Sequence, residues 1–465
     1  MDTWTKVKTK KLRNIGAQLQ KCMRNPCACK LKCFETVQHE DRLNLFEYFW
    51  ATGCHETQWH FNLNITEIKE PKVIKVQRQR ERNRTLVYYL PMKNNVGHVT
   101  KLKDSLVYSD TRDGAEIVVA PDSEILFYEI IATENLNATV LHNDISDIIY
   151  MEKSRRQRNR EFSWTAYYDI DDINGFLRNM SETYSKWSEV IVGGQSYQGR
   201  SILGLRINTP GRKDSPKPVV FIESGIHARE WIAPATTTYF INELLTSSDP
   251  NITALRDQFD WRIFPSVNPD GYHYSFTVDR FWRKTVSGFG SRCFGTDPNR
   301  NWKYNWGQYS SSNNPCDNKY AGSQPFSEIE TRTLSSYIKN ISNLLAYISF
   351  HSSAAMLLVP YSDSTEHINN YDDLIQVGKT SLDYGYETNK EERYRGPGTA
   401  AEILYKASGG SMDWVRYTLA TPLVYTYELR GNSFHWPPSR IYEQGDEVTQ
   451  MILGLATEAH KLGYY

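Results

Sequence analysis

Along residues 161–465, two apolar rhythms alternate. The runs SILGLRI (201–207), PVVFIESG (218–225), FDWRIFPSV (259–267), LAYISFH (345–351) and PLVYTYELR (422–430) are short and rich in β-branched and aromatic residues, and predict strands. Between them, PATTTYFINELL (234–245), EIETRTLSSYIKN (328–340), DDLIQVGKTSLDYGY (372–386) and VTQMILGLATEAHKL (448–462) place apolar residues at helical spacing. Strands taking turns with helices imply an α/β fold: a mixed, mostly parallel twisted sheet with helices on both faces. In such sheets the chemistry collects beyond the strand ends.

Residues 85–160 have a different pattern. TLVYYLPM, AEIVVA and ATVLH predict strands; VGHVTKLKDSL (96–106), SEILFYEIIATEN and DISDIIYMEKSRR predict helices. The order β-α-β-α-β with a trailing helix predicts a small α+β open antiparallel sandwich. It ends in the basic run Arg155-Arg156-Gln157-Arg158-Asn159-Arg160, a target for a trypsin-like protease. A new compact pattern follows at once, FSWTAYYDIDDINGFL.

The start of the chain differs again. Residues 1–64 are basic and cysteine-rich, with Cys22, Cys27, Cys29 and Cys33 close together and Cys54 beyond. That spacing lacks the paired two-residue separation of common zinc fingers. Apolar positions in FETVQHEDRLNLFEYFW (34–50) predict a helix. Residues 65–84 read as a charged linker ending in KVQRQRERNR.

Composition narrows the function. A chain of 465 residues has room for a catalytic domain of about 300 residues and one or two small ones. Lys plus Arg and Asp plus Glu both number 54, so bulk charge calls for neither nucleic acid nor a membrane surface. No apolar run approaches the roughly 20 residues of a spanning helix. Cys293 and Cys316 stand alone in the long remainder, as one disulfide of an exported protein would. Six Asn-x-Ser/Thr sequons, at Asn64, Asn83, Asn137, Asn179, Asn251 and Asn340, point the same way. The first 20 residues, in contrast, hold no apolar core of the kind a secretory signal needs.

The reactive residues follow strands. His227 and Glu230 come after PVVFIESG, His351 ends LAYISFH, and Glu428 lies in PLVYTYELR. Two imidazoles and a carboxylate are the ligand set of a catalytic zinc that keeps a position open. A further carboxylate is what peptide hydrolysis needs as a general base.

Seven motifs then carry a resemblance: HAREW (227–231), NPDGY (268–272), FWRKT (281–285), DPNRNW (297–302), SFHS (349–352), LYKASGGSMDW (404–414) and YELR (427–430). In this order and spacing, residues 85–465 resemble a zinc metallocarboxypeptidase of the pancreatic A/B type with its activation segment. The resemblance implies one Zn2+ held by His227, Glu230 and His351, with Asp297 orienting the first histidine. It implies Glu428 as the base that takes a proton from the attacking water, and Arg283 as the group that stabilises the oxyanion. Asn299, Arg300 and Tyr405 would clamp the substrate's terminal carboxylate, and Arg229 would contact substrate upstream.

Met412 stands where enzymes that cut after Lys or Arg carry an acid. With Leu358, Ala400, Leu404, Ala407 and Thr426 around it, the pocket is expected to take apolar or aromatic C-terminal residues. Ser353 and Lys406 depart from the family's pattern, where a tyrosine and a neutral amide are common. Cys293 and Cys316 fit the family's disulfide. Residues 85–160 would be an inhibitory pro-domain (activation segment) and 161–465 the catalytic domain, extracellular, acting on peptide or protein C-termini after a trypsin-like protease cuts near Arg155–Arg160. The alternative is a binding protein: an enzyme-like domain never processed, attached to a basic cysteine-rich module.

Overall fold

The computed structural model describes residues 86–91, 106–110, 114–119, 124–133, 136–153, 162–210, 216–431 and 434–465. The cysteine-rich segment, its helix at 34–50, the linker, most of the helix expected at 96–106 and the basic run at 155–160 lie outside them. All described residues fall within one compact unit, Glu81–Tyr465.

A small sheet comes first: β1 (Leu86–Pro91), β2 (Leu106–Asp110), β3 (Gly114–Val119) and β4 (Thr139–His142), with α1 (Glu124–Thr133) and α2 (Ser146–Glu152). Its strand order is β2-β3-β1-β4 and every pairing is antiparallel. β2 corrects the expected order, because Leu106, taken as the end of a helix, opens a strand. LVYSD is too short to show a period of its own. Tyr88, Ile117, Val119, Phe127 and Ile131 form the buried centre between sheet and helix.

The large sheet is built from α3 (Ile170–Thr183), β5 (Ser188–Gln195), β6 (Ser201–Ile207), β7 (Val219–Ser224), α4 (Ile232–Thr246), α5 (Pro250–Gln258), β8 (Asp260–Phe264), α6 (Pro269–Thr277), α7 (Ile329–Lys339), β9 (Leu344–Ser352), β10 (Met356–Val359), α8 (Tyr371–Thr388), β11 (Arg395–Thr399), α9 (Ala400–Ile403), α10 (Ser411–Leu419), β12 (Leu423–Leu429) and α11 (Ile441–Lys461). The eight strands run in the order β11-β10-β12-β9-β7-β8-β6-β5. Four of the seven pairings are parallel, including the central β12-β9-β7-β8 run; the others are antiparallel. The sheet is therefore mixed, with a parallel centre.

Alternating residues divide between two cores. Val220, Ile222, Ile348, Phe350, Tyr425 and Tyr427 join one cluster with residues of α3, α4, α8 and α11. Val219, Phe221, Tyr347 and Val424 join the other, with Leu334 and Ile338 of α7 and Trp414 and Val415 of α10. Strands covered on both faces read as near-continuous apolar runs, which is why the sequence exposed them. The polar residues that break those runs, Glu223, Ser349, His351, Thr426 and Glu428, mark the site side of the sheet.

The small sheet meets the large one through Val118 and Ile145, which cluster with Phe281 and Phe434. Glu152, at the end of α2, is buried there. Its Oε2 accepts from Arg280 Nε (2.9 Å) and its Oε1 from Nη2 (3.2 Å), and His435 Nδ1 lies 3.0 Å from the same Oε1. Burial opposes its charge, but Arg280 and His435 hold its pKa down at about 2.

Candidate metal centre

The site begins where β7 stops. Gly225 takes φ +66° with Pro265 O and Ser266 Cα 3.1 Å from where a Cβ would stand, so a side chain here would be strained and crowded. The chain turns and delivers His227 and Glu230. Ala228 N donates to Arg283 O (3.1 Å), and Asn268 Nδ2 donates to both Ile226 O and Lys284 O (3.1 Å each). The HAREW, NPDGY and FWRKT motifs are thus one stitched unit that places His227 beside Arg283.

His351 sits near the end of β9, and Glu428 pairs with it in register on β12. His227 Nδ1 is 2.7 Å from Glu230 Oε1, and His351 Nδ1 is 3.1 Å from both Glu230 Oε2 and His227 Nδ1. All three residues are buried, and their donor atoms lie within 4.8 Å of one another. Two imidazole nitrogens facing each other beside a carboxylate can hold a cation between them. Burial and the neighbouring charges also shift the three groups. Glu230 is pulled far down by the two histidines despite its burial, and His351 is pushed up to about 9, chiefly by Glu230, against burial. His227 is held down by burial and by Arg283. The donor set therefore fits Zn2+.

Around the trio, Asp297 Oδ1 lies 3.3 Å from His227 Nε2, and Asp297 Oδ2 accepts from Arg283 Nε (3.0 Å) and Nη2 (2.9 Å). Asp297 is fully buried but kept ionised by Arg283 and His227. Arg283 Nη1 stands 3.8 Å from Glu230 Oε1. Glu428 is partly buried, and burial pushes its pKa up to about 7, with His351 opposing.

The remaining residues form a second group. Arg300 ends a short turn, Pro298–Arg300, opened by Asp297, whose Oδ1 accepts from Asn299 N (2.9 Å). Arg300 Nε donates to Ser310 O (2.8 Å), Nη1 to Asn299 O (2.9 Å), and Nη2 reaches Tyr405 Oη at 3.5 Å. Asn299 Oδ1 accepts from Ser411 N, which opens α10 (3.0 Å). Gly409, at φ +72°, lies so close to Arg300 that a Cβ would come within 2.4 Å of its carbonyl. The glycines of the LYKASGGSMDW motif let this loop press onto the arginine.

Met412, on the next position of α10, packs with Leu358 and Ala400, with Leu404 against them. Thr426 Oγ1 touches Met412 Sδ at 3.4 Å. Ala407 is placed by its N–H on Ser362 O (2.9 Å). Arg229 lies apart, its guanidinium 4.3 Å over the Phe434 ring. Lys406 lies over Tyr309 (5.5 Å). Cys293 and Cys316 are joined by a disulfide. Sequence reasoning missed Glu152, Arg280 and His435, which meet only through tertiary contact. It also passed over Glu223, whose signal was a lone acid inside an apolar strand.

The arrangement defines an α/β protein with a candidate metal centre at the ends of its parallel strands. More narrowly, the chain belongs to the zinc carboxypeptidase family, whose model matches residues 173–451. It is 37% identical over 388 residues to zinc carboxypeptidase A 1 of Anopheles gambiae, covering 80% of this chain and 87% of that one. It is 41% identical over 308 residues to a zinc carboxypeptidase of Simulium vittatum, covering 64% and 98%. The crystal structure of thrombin activatable fibrinolysis inhibitor is similar with a TM-score of 0.75 at 27% identity, over 82% of this chain and 99% of that one. The chain is thus a metallocarboxypeptidase, an enzyme of peptide C-termini whose cofactor is Zn2+. Among the described residues, no helix is long and apolar enough to cross a membrane.

Proposed function

We propose that this chain is the precursor of a zinc exopeptidase that removes apolar or aromatic residues from peptide C-termini. The observation that carries this reading is the convergence of His227, Glu230 and His351, bracketed by the Asp297–Arg283 pair, with Glu428 beside them. Zinc held by the trio would supply Lewis acidity and lower the pKa of a water toward neutrality. Asp297 fixes the tautomer and orientation of His227. Glu428 takes a proton from the attacking water and returns it to the leaving amine. Arg283, held by Asp297, presents a positive charge to the developing oxyanion. Asn299, Arg300 and Tyr405 grip the terminal carboxylate, and Arg229 contacts substrate upstream.

Met412, Leu358, Ala400 and Leu404 pack in one apolar cluster and would give the specificity pocket an uncharged lining. A cationic side chain there would lose its water without gaining a partner. Peptides ending in Phe or Leu are therefore turned over at least tenfold faster than matched peptides ending in Lys or Glu. A preference for Lys in the same comparison contradicts the assignment.

The boundaries proposed are 1–64 and 65–84 for the leader and linker, 85–160 for the pro-domain and 161–465 for the catalytic domain. The small sheet acts as a cap until a trypsin-like protease cuts within residues 155–160. The Cys293–Cys316 disulfide supports an extracellular setting. Limited trypsin treatment is expected to raise peptidase activity; equal activity before and after refutes latency.

The Glu152 cluster supports the capping role. Its pKa lies below the ordinary value, so its contribution to docking is complete above about pH 4.5 and is lost as pH falls toward 2. Breaking a buried pair of this kind costs about 3–5 kcal/mol. At neutral pH the Glu152→Gln precursor should leak activity before processing, measured on a short peptide, while its processed form works like the wild type.

A further inference from the structure

Glu223 lies at the end of β7 and is fully buried. In register it pairs with Ser349 of β9, which pairs with Thr426 of β12. Two residues further along the same strands, His351 pairs with Glu428. Side chains two apart share a face, so Glu223 stands in the row directly beneath the catalytic row, about 6–7 Å along the strand. Other residues on that face are apolar, Val219, Phe221 and Val424 among them.

Several buried acids are paired with an arginine, and this one is not. Glu152, Asp297 and Glu447 each face an arginine, Arg280, Arg283 and Arg430. Glu223 Oε1 instead accepts two hydroxyls, from Tyr347 Oη (3.0 Å) and Ser349 Oγ (2.5 Å). Oε2 is buried with no hydrogen-bond partner among the described residues. Two donating hydroxyls suit an ionised group. Yet an ionised carboxylate in an apolar layer is costly unless a positive charge lies nearby. Burial raises its pKa, so its charge calls for a positive partner, and the cation that the trio would hold stands one row above.

Resting on the reading that His351 holds zinc, we propose that Glu223 is a positioning residue for the metal centre: a fixed negative charge under His351 that strengthens the hold on the cation. A carboxylate behind a ligand imidazole raises its basicity, and outer partners of this kind change metal affinity by about 10–100-fold. Glu223 acts from one row down rather than by direct contact, so the low end of that range applies. Its effect is on retention of the metal, since it lies beneath the reacting groups.

The test is chelator competition for zinc on the full chain, comparing wild type with Glu223→Gln and Glu223→Asp. Gln keeps the shape and an acceptor oxygen for Tyr347 and Ser349 but removes the charge. Zinc dissociation from Glu223→Gln should be about tenfold more favourable, with the Tm of the metal-free protein equal or higher and a smaller rise on adding zinc. Glu223→Asp, which keeps the charge, should hold zinc within a few-fold of the wild type. Equal zinc affinity of the Gln variant and wild type overturns the proposal. So does a tenfold loss in the Asp variant at unchanged metal-free Tm. If the wild type binds no zinc at all, it is the reading of the metal centre that fails.

Discussion

Replacing Glu428 by Gln should leave the zinc content of the purified chain unchanged and lower peptide turnover by about three to four orders of magnitude, the upper part of the range for a positioned general base. Glu428 lies opposite His351 on the neighbouring strand, but the converging donor atoms belong to His227, Glu230 and His351. Gln preserves the shape and removes the ability to take a proton. The pH profile gives a second readout. Burial raises the Glu428 pKa to about 7, and a bound cation would pull it below that value. Only the ionised form accepts a proton, so activity rises with pH through this group, with an acid limb at or below about 7 that the variant lacks. Loss of zinc in the variant means that Glu428 is a ligand and the roles are misassigned.

Replacing Arg300 by Ala should lower kcat/KM for peptides with a free C-terminus by about two to three orders of magnitude, as truncating one partner of a buried charge pair does. Arg300 is buried and pinned by Ser310 O and Asn299 O, with the remaining nitrogen directed to Tyr405. A guanidinium held in one orientation supplies direction as well as charge to a carboxylate. In this reading it would also set the mode of cleavage, since a peptide continuing past this point would leave the arginine unpaired. The same peptides with an amidated C-terminus are poor substrates of the wild type and should be little changed in the variant, so discrimination between acid and amide collapses. An unchanged ratio would place the carboxylate elsewhere.

Much of this was legible before any coordinates. The strands that lead to His227 and carry His351 and Glu428 are buried on both faces, so their apolar runs stood out, and the polar residues interrupting or following them pointed to the candidate site. The donor trio was readable because ligand chemistry restricts residue type. β2, β5, β10 and β11 were missed for opposite reasons. β2 is too short for a period, β5 is an exposed edge strand of mixed pattern, and RGPGT of β11 is nearly all turn residues. Helices α5, α6 and α10 are nine residues each and too short to show a stripe. The Glu152–Arg280–His435 cluster was invisible because its members come from three distant parts of the chain. No local pattern records such a pairing. Glu223 was visible as a letter but not as a role, since only the register of β7 on β9 puts it under His351.

The most direct test is anomalous diffraction at the zinc edge from crystals of the purified chain. One strong peak is predicted, about 2.0–2.2 Å from His227 Nδ1, His351 Nδ1 and a Glu230 oxygen, with Glu428 outside bonding distance. A crystal from active protein with no peak at these three residues, or with the peak bound elsewhere, would contradict the account.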